Sequence, residues 1–192
     1  MQGSGNAKTE PRKVSGFKEI KAGGAVNLEI TVQKDFGLTI EADDNLIELI
    51  KTEVSGSTLT ISTKDKVSPK TKINIKISLP ELNNLDLSGA STANVSAVKT
   101  DSLKLNASGA SKIKIDGEVK SVEAIASGAS GIDAENLKTE NAKVNSSGAS
   151  NITVSPTGDL DAEASGASSV VYTVEPKTIK QNASGVSTIK KK

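Results

Sequence analysis

Apolar and polar residues alternate through the second half of the chain in segments that return every 18–20 residues. A tetrapeptide marks each return: Ser-Gly-Ala-Ser begins at Ser88, Ser108, Ser127, Ser147 and Ser165, and Ser-Gly-Val-Ser begins at Ser184. The fifth residues after these serines are Ala93, Ile113, Ile132, Ile152, Val170 and Ile189, and the residue after each is polar in five of the six copies. This is the alternation of a half-buried strand, not the spacing of a helix.

A further apolar position follows nine to eleven residues after the serine in four copies, at Val98, Val119, Leu137 and Val174. Two or three short strands per repeat are typical of a solenoid whose coils stack about 4.8 Å apart. We therefore predict an all-β fold: a right-handed parallel β-helix, or β-solenoid, with about six coils in the C-terminal half, preceded by an N-terminal β-rich portion. The predicted division is a flexible lead-in over residues 1–14, the β-rich portion over 15–80 packed on the solenoid, and a solenoid of 18–20-residue repeats over 81–192.

The tetrapeptide is interpreted as a structural corner of each coil. Its glycines are Gly89, Gly109, Gly128, Gly148, Gly166 and Gly185. Glycine adopts a positive φ at little cost, and small stacked residues let the backbone turn tightly. A ligand-binding face is the alternative, but recurrence in every coil favours packing. Strict alternation would place the glycine and the second serine on the inward side of the coil, whereas a bulge would reverse these positions. The sequence therefore leaves the direction of the tetrapeptide side chains open.

Weaker repeats precede the solenoid. The small residues at 22–25 occupy the place of the later corner, so residues 17–32 could form a degenerate first coil. Asp43-Asp44-Asn45 followed by apolar residues up to Ile50 is an N-cap signal with helical spacing, although a strand is equally compatible with the short run. Residues 64–72 are predicted to form a charged loop that contains Pro69.

Composition narrows the possible chemistry. The chain has 192 residues, with 24 Lys plus Arg against 23 Asp plus Glu, so we expect no nucleic-acid partner. The absence of Cys and His removes thiol chemistry, imidazole catalysis and the usual structural zinc sites. We predict no cofactor, no metal site and no catalytic residue. No apolar stretch approaches the length of a membrane span, so no transmembrane segment is expected in this chain.

Two pairs match the Ser-x-x-Lys spacing of serine acyl-enzymes, at Ser96/Lys99 and Ser187/Lys190. That chemistry needs both residues on one helical turn, and both pairs lie in strand-like repeats. A packing or surface role is therefore favoured. A candidate binding strip is formed instead by Asn106, Asn145 and Asn182, each two residues before a corner serine, with Asp86 and Glu163 at the same place in other coils.

Several short motifs occur in an order typical of one family. They are Phe17-Lys-Glu-Ile20, Ala-Gly-Gly-Ala-Val-Asn-Leu-Glu-Ile at 22–30, Glu41-Ala-Asp-Asp-Asn-Leu46, Leu59-Thr-Ile61, Leu79-Pro80-Glu-Leu82 and Leu85-Asp-Leu-Ser-Gly-Ala-Ser91. Together they resemble the putative auto-transporter adhesin, head GIN domain family over most of residues 4–192. The resemblance implies a β-helix-like fold and a bacterial protein, often from Bacteroidetes-type organisms, that is exported and frequently a lipoprotein. It offers no catalytic residues to carry over.

These observations favour a non-enzymatic, exported cell-envelope solenoid that acts as an adhesin-like binding or display module. The candidate partners are an envelope protein, a host-surface protein or a glycan. The alternatives are a carbohydrate-active β-helix enzyme, a carbohydrate-binding protein and a structural spacer without a ligand. We expect a cell-envelope or extracellular location and a signal-bearing or lipoprotein precursor that is trimmed here. The resemblance implies that Met1 stands in the place of a lipidated Cys.

Overall fold

The alternating segments form strands in a computed structural model that describes residues 1–63 and 67–192. The sixteen strands are β1 (Ala7–Arg12), β2 (Glu19–Ala22), β3 (Val26–Val32), β4 (Gly37–Asp43), β5 (Ile50–Ser55), β6 (Thr58–Thr63), β7 (Ile73–Leu79), β8 (Asn84–Leu87), β9 (Thr92–Ala107), β10 (Lys112–Ala126), β11 (Gly131–Ser146), β12 (Asn151–Pro156), β13 (Asp159–Ala164), β14 (Ser169–Tyr172), β15 (Thr178–Ala183) and β16 (Thr188–Lys191). One 3-10 helix, η1, spans Ile47–Leu49.

The strands stack in parallel and in register, which confirms the predicted β-solenoid. Ile113 lies beside Ala93 of the preceding turn and beside Ile132 of the following one. On one face the order is β1-β4-β7-β3-β9-β10-β11-β12-β14-β16. On the second face the order is β5-β6-β2-β8, then the C-terminal parts of β9, β10 and β11, then β13 and β15. The six tetrapeptides bound five complete turns, and the last copy opens a partial turn that consists of β16.

The N-terminal portion belongs to the same stack. The small residues at 22–25 lie directly against the first tetrapeptide, because Ser88 N donates to Ala22 O at 2.9 Å and Ala90 N donates to Gly24 O at 2.7 Å. Strands β4 to β7 then extend both faces before β8 resumes the coil. One hydrophobic cluster runs through the entire column, from Phe17 to Val170.

The segment expected to be a flexible lead-in contains β1, which pairs antiparallel with β4 from Ala7↔Asp43 to Arg12↔Leu38. Arg12, the one arginine of the chain, holds this segment in place. Its guanidinium donates to Ile47 O and to Ile50 O, both at 3.0 Å, and forms an ion pair with Glu10 at 2.6 Å. Strand β1 is therefore the edge strand of one face at the N-terminal end of the column, and β5 is the edge strand of the other face.

Residues 43–50 contain both a helical turn and strand residues, the two alternatives that the sequence allowed. Strand β4 ends at Asp43, η1 forms one turn, and β5 begins at Ile50. The expected N-cap is wrong: Leu46 holds that position, and the helix has no side-chain cap. Asp43 is buried instead and accepts hydrogen bonds from the backbone N–H groups of Gly5, Lys70 and Thr71. Of the charged loop predicted at 64–72, residues 64–66 lie outside the described residues.

The direction of the tetrapeptide side chains is clear in the structure. The second serine points into the core: Ser91, Ser111, Ser130, Ser150 and Ser168 are all at most 3% exposed. Four of these hydroxyls donate to the carbonyl of the residue that precedes the tetrapeptide one turn earlier, as in Ser130 Oγ to Ala107 O at 2.9 Å and Ser168 Oγ to Ser146 O at 2.8 Å. Burying a hydroxyl costs little when it is hydrogen-bonded in this way.

The glycine lies at the exposed corner. Gly128 has φ +74°, and a Cβ added to it would lie 2.7 Å from Gly109 O of the preceding turn. The other five have φ between +72° and +75° and carbonyl oxygens at 2.4–2.8 Å from the same hypothetical Cβ. The backbones of successive turns thus approach too closely at this corner for any side chain.

Candidate ligand-binding groove

A groove with a volume of about 910 Å³ crosses the turns on the side of the column opposite the tetrapeptide corner. It forms where β9, β10 and β11 bend between their two halves, and where shorter connections follow β12 and β14. We call this feature the groove. Ten of its lining residues form two ladders and a floor: Lys99, Glu118, Lys138 and Ser155 in the first ladder, Asp101, Lys120 and Glu140 in the second, and Thr100, Val119 and Thr139 in the floor. The other charged residues that line it are Glu135 and Lys177.

The first ladder is in strict register. Lys99 pairs with Glu118, Glu118 with Lys138, and Lys138 with Ser155. Successive side chains therefore stand about 4.8 Å apart, and the charges of Lys99, Glu118 and Lys138 alternate in sign. Opposite charges placed directly across neighbouring strands stabilise the pairing.

The second ladder carries the opposite sequence of signs on the same strands. Lys120 Nζ lies 2.8 Å from Asp101 Oδ1. The hydrogen bond that Lys120 donates to Asp101, the charge of Asp101 and the charge of Glu140 together raise the pKa of Lys120 above its usual value. Lys120 is therefore a fixed cation at neutral pH, between two carboxylates.

The floor is closed by its own hydrogen bonds. Thr139 is buried and its hydroxyl donates to Asn141 O at 3.0 Å, while Thr100 Oγ1 accepts a hydrogen bond from the side-chain amide of Asn83 at 3.1 Å. At the C-terminal end of the groove, Ser155 Oγ donates to Glu135 O at 2.7 Å. A ligand in the groove would therefore be bound chiefly by the charged side chains of the two ladders.

The charges that line the groove cancel. Lys99, Lys120, Lys138 and Lys177 give four positive charges, and Asp101, Glu118, Glu135 and Glu140 give four negative charges. Such a surface offers ammonium donors and carboxylate acceptors at short, regular intervals without attracting one sign of ligand. Within the described part of the chain, no group of three or more carboxylates is arranged to hold a metal ion.

The predicted asparagine strip lies on a different face. Asn106, Asn145 and Asn182 form one outward ladder of the second sheet, together with Asp86, Ile125 and Glu163. Asn145 Nδ2 donates to Glu163 Oε2 at 3.1 Å. The structure thus brings the three asparagines into one line, with Ile125 and Glu163 between them, and it places none of them in the groove.

The other residues singled out from the sequence lie elsewhere. The corner glycines form an exposed ridge that does not line the groove. Ser96 donates to Ile30 O at 3.4 Å and lies in β9, and Lys190 lies in β16, so neither Ser-x-x-Lys pair is on a helix. Sequence reasoning missed the groove. The sequence pattern that could have indicated the groove is the alternation of charge at Lys99, Glu118 and Lys138. Each of these residues is adjacent to the apolar residue that recurs nine to eleven positions after the corner serine.

Comparison with known protein families shows to which family this chain is related. Residues 16–176 match the family described as "Putative auto-transporter adhesin, head GIN domain". The chain belongs to this family. The resemblance predicted from the short motifs is thereby confirmed, and the family description supports an adhesin-like module of the cell surface or extracellular space.

Solved structures show the same fold. A "putative adhesin" from Bacteroides fragilis NCTC 9343 is 26% identical, with a TM-score of 0.82 over 100% of this chain and 99% of that one. A "putative lipid binding protein" from Parabacteroides distasonis ATCC 8503 is 23% identical, with a TM-score of 0.58 over 100% and 98%. A "putative adhesin" from Parabacteroides merdae ATCC 43184 is 18% identical, with a TM-score of 0.58 over 100% and 98%. No curated protein matches the chain significantly.

No helix among the residues that the structure describes is long and apolar enough to cross a bilayer.

Proposed function

We propose that this chain is a non-enzymatic, exported module of the bacterial cell envelope that binds an extended, uncharged polar polymer, such as a neutral glycan, along the groove. The observation that carries the proposal is the groove itself, which crosses the turns of the column and repeats the same arrangement of charges on every second turn. A polymer with a repeating polar unit can make equivalent contacts with every second turn.

The balance of charge supports an uncharged partner. Four lysines and four carboxylates line the groove, so a polyanion would gain attraction from one half of these groups and repulsion from the other half. A sugar hydroxyl both donates and accepts hydrogen bonds, and it can therefore bridge a lysine and the carboxylate next to it. Nucleic acid is disfavoured for the same reason.

Repetition compensates for weak single contacts. None of the residues that line the groove is aromatic, so stacking of sugar rings does not contribute. Several equivalent contacts along one polymer act at a high effective concentration once the first is formed, which raises the overall affinity. This mode of binding suits attachment of a cell surface to a polysaccharide, and the export or lipoprotein anchoring expected from the family would place the module there.

The proposal is tested by binding of the fluorescently labelled chain to an array of neutral and acidic polysaccharides, followed by titration of the retained glycan. Lys138→Ala and Lys143→Ala form a matched pair, because both lysines are exposed and lie on β11, but only Lys138 lines the groove. We expect Lys138→Ala to weaken binding about tenfold through the loss of charged hydrogen bonds, and Lys143→Ala to leave it unchanged.

Two results would contradict the proposal: the absence of retention on any neutral glycan, or an equal effect of the two substitutions. Chromatography of the glycan after incubation distinguishes binding from turnover. Shortened chains would instead favour a carbohydrate-active enzyme that uses the carboxylates of the groove.

A further inference from the structure

The two ladders of the groove alternate in opposite phase. Each of three successive turns carries one ammonium group and one carboxylate, two residues apart along the strand, and their order reverses from one turn to the next. The pairs are Lys99 and Asp101 on β9, Glu118 and Lys120 on β10, and Lys138 and Glu140 on β11. The reversal ends there, because the fourth turn places uncharged Ser155 beside Lys138 and Gly158 beside Glu140.

Strand pairing alone does not require this phase. Opposite charges on neighbouring strands attract within each ladder separately, and the attraction across strands is the same if both ladders begin with a cation. Other outward ladders of the same turns do not repeat the arrangement. On the second face, the ladder of Lys104, Glu123 and Lys143 alternates, but its neighbour consists of uncharged Asn106, Ile125 and Asn145. On the first face, the two ladders are Asn94, Lys114 and Asp133, and Thr92, Lys112 and Gly131.

The reversal gives the groove the symmetry of a twofold screw axis. Its order of charges inverts at each step of about 4.8 Å and repeats after two turns, about 9.6 Å. Extended β-1,4-linked chains of hexopyranose sugars have the same symmetry, because each ring is turned over relative to the ring before it. The length of one such sugar along the chain is close to the spacing of the turns. A ribbon of this kind therefore stays in register with the three turns.

The two edges of each sugar ring match the two kinds of charge. A lysine ammonium group only donates hydrogen bonds, and a carboxylate only accepts them. One edge of the ring carries the ring oxygen, which only accepts, and the other edge carries two neighbouring hydroxyl groups, which both donate. The first edge suits an ammonium group and the second suits a carboxylate. Since the ring is turned over at each step, its edges change sides as the charges of the groove do.

The charged side chains are free to make these contacts. Lys120 and Asp101 form an ion pair at 2.8 Å, but their side chains are 72% and 81% exposed, so little stability is lost when a sugar hydroxyl enters between them. The floor contributes less, because Val119 and Thr139 are both 4% exposed. Discrimination between ligands therefore depends on the order of charge in the two ladders.

We propose, on the basis of the function proposed above, that the polymer bound in the groove is a β-1,4-linked hexopyranose glycan, held as a flat ribbon with one sugar on each of the three turns. Chains with β-1,3 or α-1,4 linkages curve into helices and do not turn successive rings over. Such a chain matches the order of charge on one turn and opposes it on the next.

The experiment is a calorimetric titration of the full chain with neutral hexasaccharides. Glucose hexasaccharides with β-1,4, β-1,3 or α-1,4 linkages are compared, together with the β-1,4-linked hexasaccharides of mannose and N-acetylglucosamine. We expect a β-1,4-linked ligand to bind about tenfold or more tightly than the other linkages, because a misaligned ring loses a charged hydrogen bond. This measurement needs no variant.

A double variant changes only the order of charge. Glu118→Lys combined with Lys120→Glu keeps the composition and net charge of the groove, but it gives all three turns the same order. The preference for the β-1,4 linkage should disappear. Glu123→Lys combined with Lys143→Glu is the matched control, since it also sets like charges side by side, in a ladder outside the groove. The control should keep the preference, and circular dichroism verifies that both variants are folded.

The outcomes separate the linkage from glycan binding itself. Equal affinity for the three linkages, or an unchanged preference in a folded groove variant, would overturn the β-1,4 assignment and leave the binding of neutral glycans intact. Absence of binding to every neutral glycan would overturn both.

Discussion

Replacing Gly128 by alanine tests how closely the turns stack at the tetrapeptide corner. Two costs are expected. The residue has φ +74°, and the left-handed conformation costs a residue with a Cβ about 1–2 kcal/mol. The new Cβ would also lie 2.7 Å from Gly109 O and 3.3 Å from Gly109 N, which are backbone atoms of a turn that is hydrogen-bonded on both sides. Forcing such a contact apart costs roughly 1–3 kcal/mol.

The sum for Gly128→Ala is a loss of roughly 2–5 kcal/mol in the free energy of unfolding. Gly56→Ala is the matched control, because Gly56 has φ +57° but no atom would lie within 4 Å of its added Cβ. The control should lose only the conformational part, about 1–2 kcal/mol. Urea denaturation followed by circular dichroism, with linear extrapolation, measures both values. If Gly128→Ala loses no more stability than Gly56→Ala, the close approach of neighbouring turns at this corner is wrong.

Three further predictions concern the core, the buried carboxylate of Asp43 and a bulge of β9, where Ser96 and Ala97 lie opposite the single residue Asp116 of β10. Ile132→Asp should lower the free energy of unfolding by several kcal/mol, because it buries a carboxylate without a partner. Asp133→Ser, on the outward face of the same strand, should change the free energy of unfolding little. Equal shifts of the two variants in thermal unfolding would contradict the assignment of Ile132 as inward and Asp133 as outward. Burial would raise the pKa of Asp43, but the hydrogen bonds from Thr71, Gly5 and Lys70 lower this pKa below its ordinary value of 3.8. The contribution of Asp43 to the free energy of unfolding is therefore present above about pH 4, and it is lost as the pH falls through the lowered pKa. The stability gap between the parent chain and Asp43→Asn should therefore narrow in acid, and a gap that is independent of pH would refute this role. Ala97 has φ +61°, so Ala97→Gly should raise the free energy of unfolding by roughly 0.5–1 kcal/mol in the same denaturation assay, and a loss of stability would show that the bulge is not strained.

The solenoid could be predicted because each turn repeats the same constraint. A parallel column places the fifth residue after each corner serine on top of its counterparts, so Ile113, Ile132 and Ile152 must all be apolar, and the period is visible in the sequence. The direction of Ser130 could not be predicted, because its buried hydroxyl contacts two carbonyl oxygens: Ser127 O at 2.8 Å is local, but Ala107 O at 2.9 Å belongs to the preceding turn.

The groove and the hydrogen bonds of Asp43 escaped prediction for a related reason. Lys120 and Asp101 are 19 positions apart, and the groove exists only because three long strands bend while the later turns are shorter. Asp43 has the local sequence of a helix cap, but its partners lie at Gly5 and Lys70, and contacts of that range leave no pattern in the chain.

The alternation of charge along the ladders constrains how such a protein can change length during evolution. Loss of residues 108–126, one repeat, would bring Lys104 against Lys143, Lys99 against Lys138 and Asp101 against Glu140, three like-charge contacts at once. Loss of two consecutive repeats would instead place Lys104 against Asp161. Duplication or deletion of gene segments is thus tolerated best in units of two repeats.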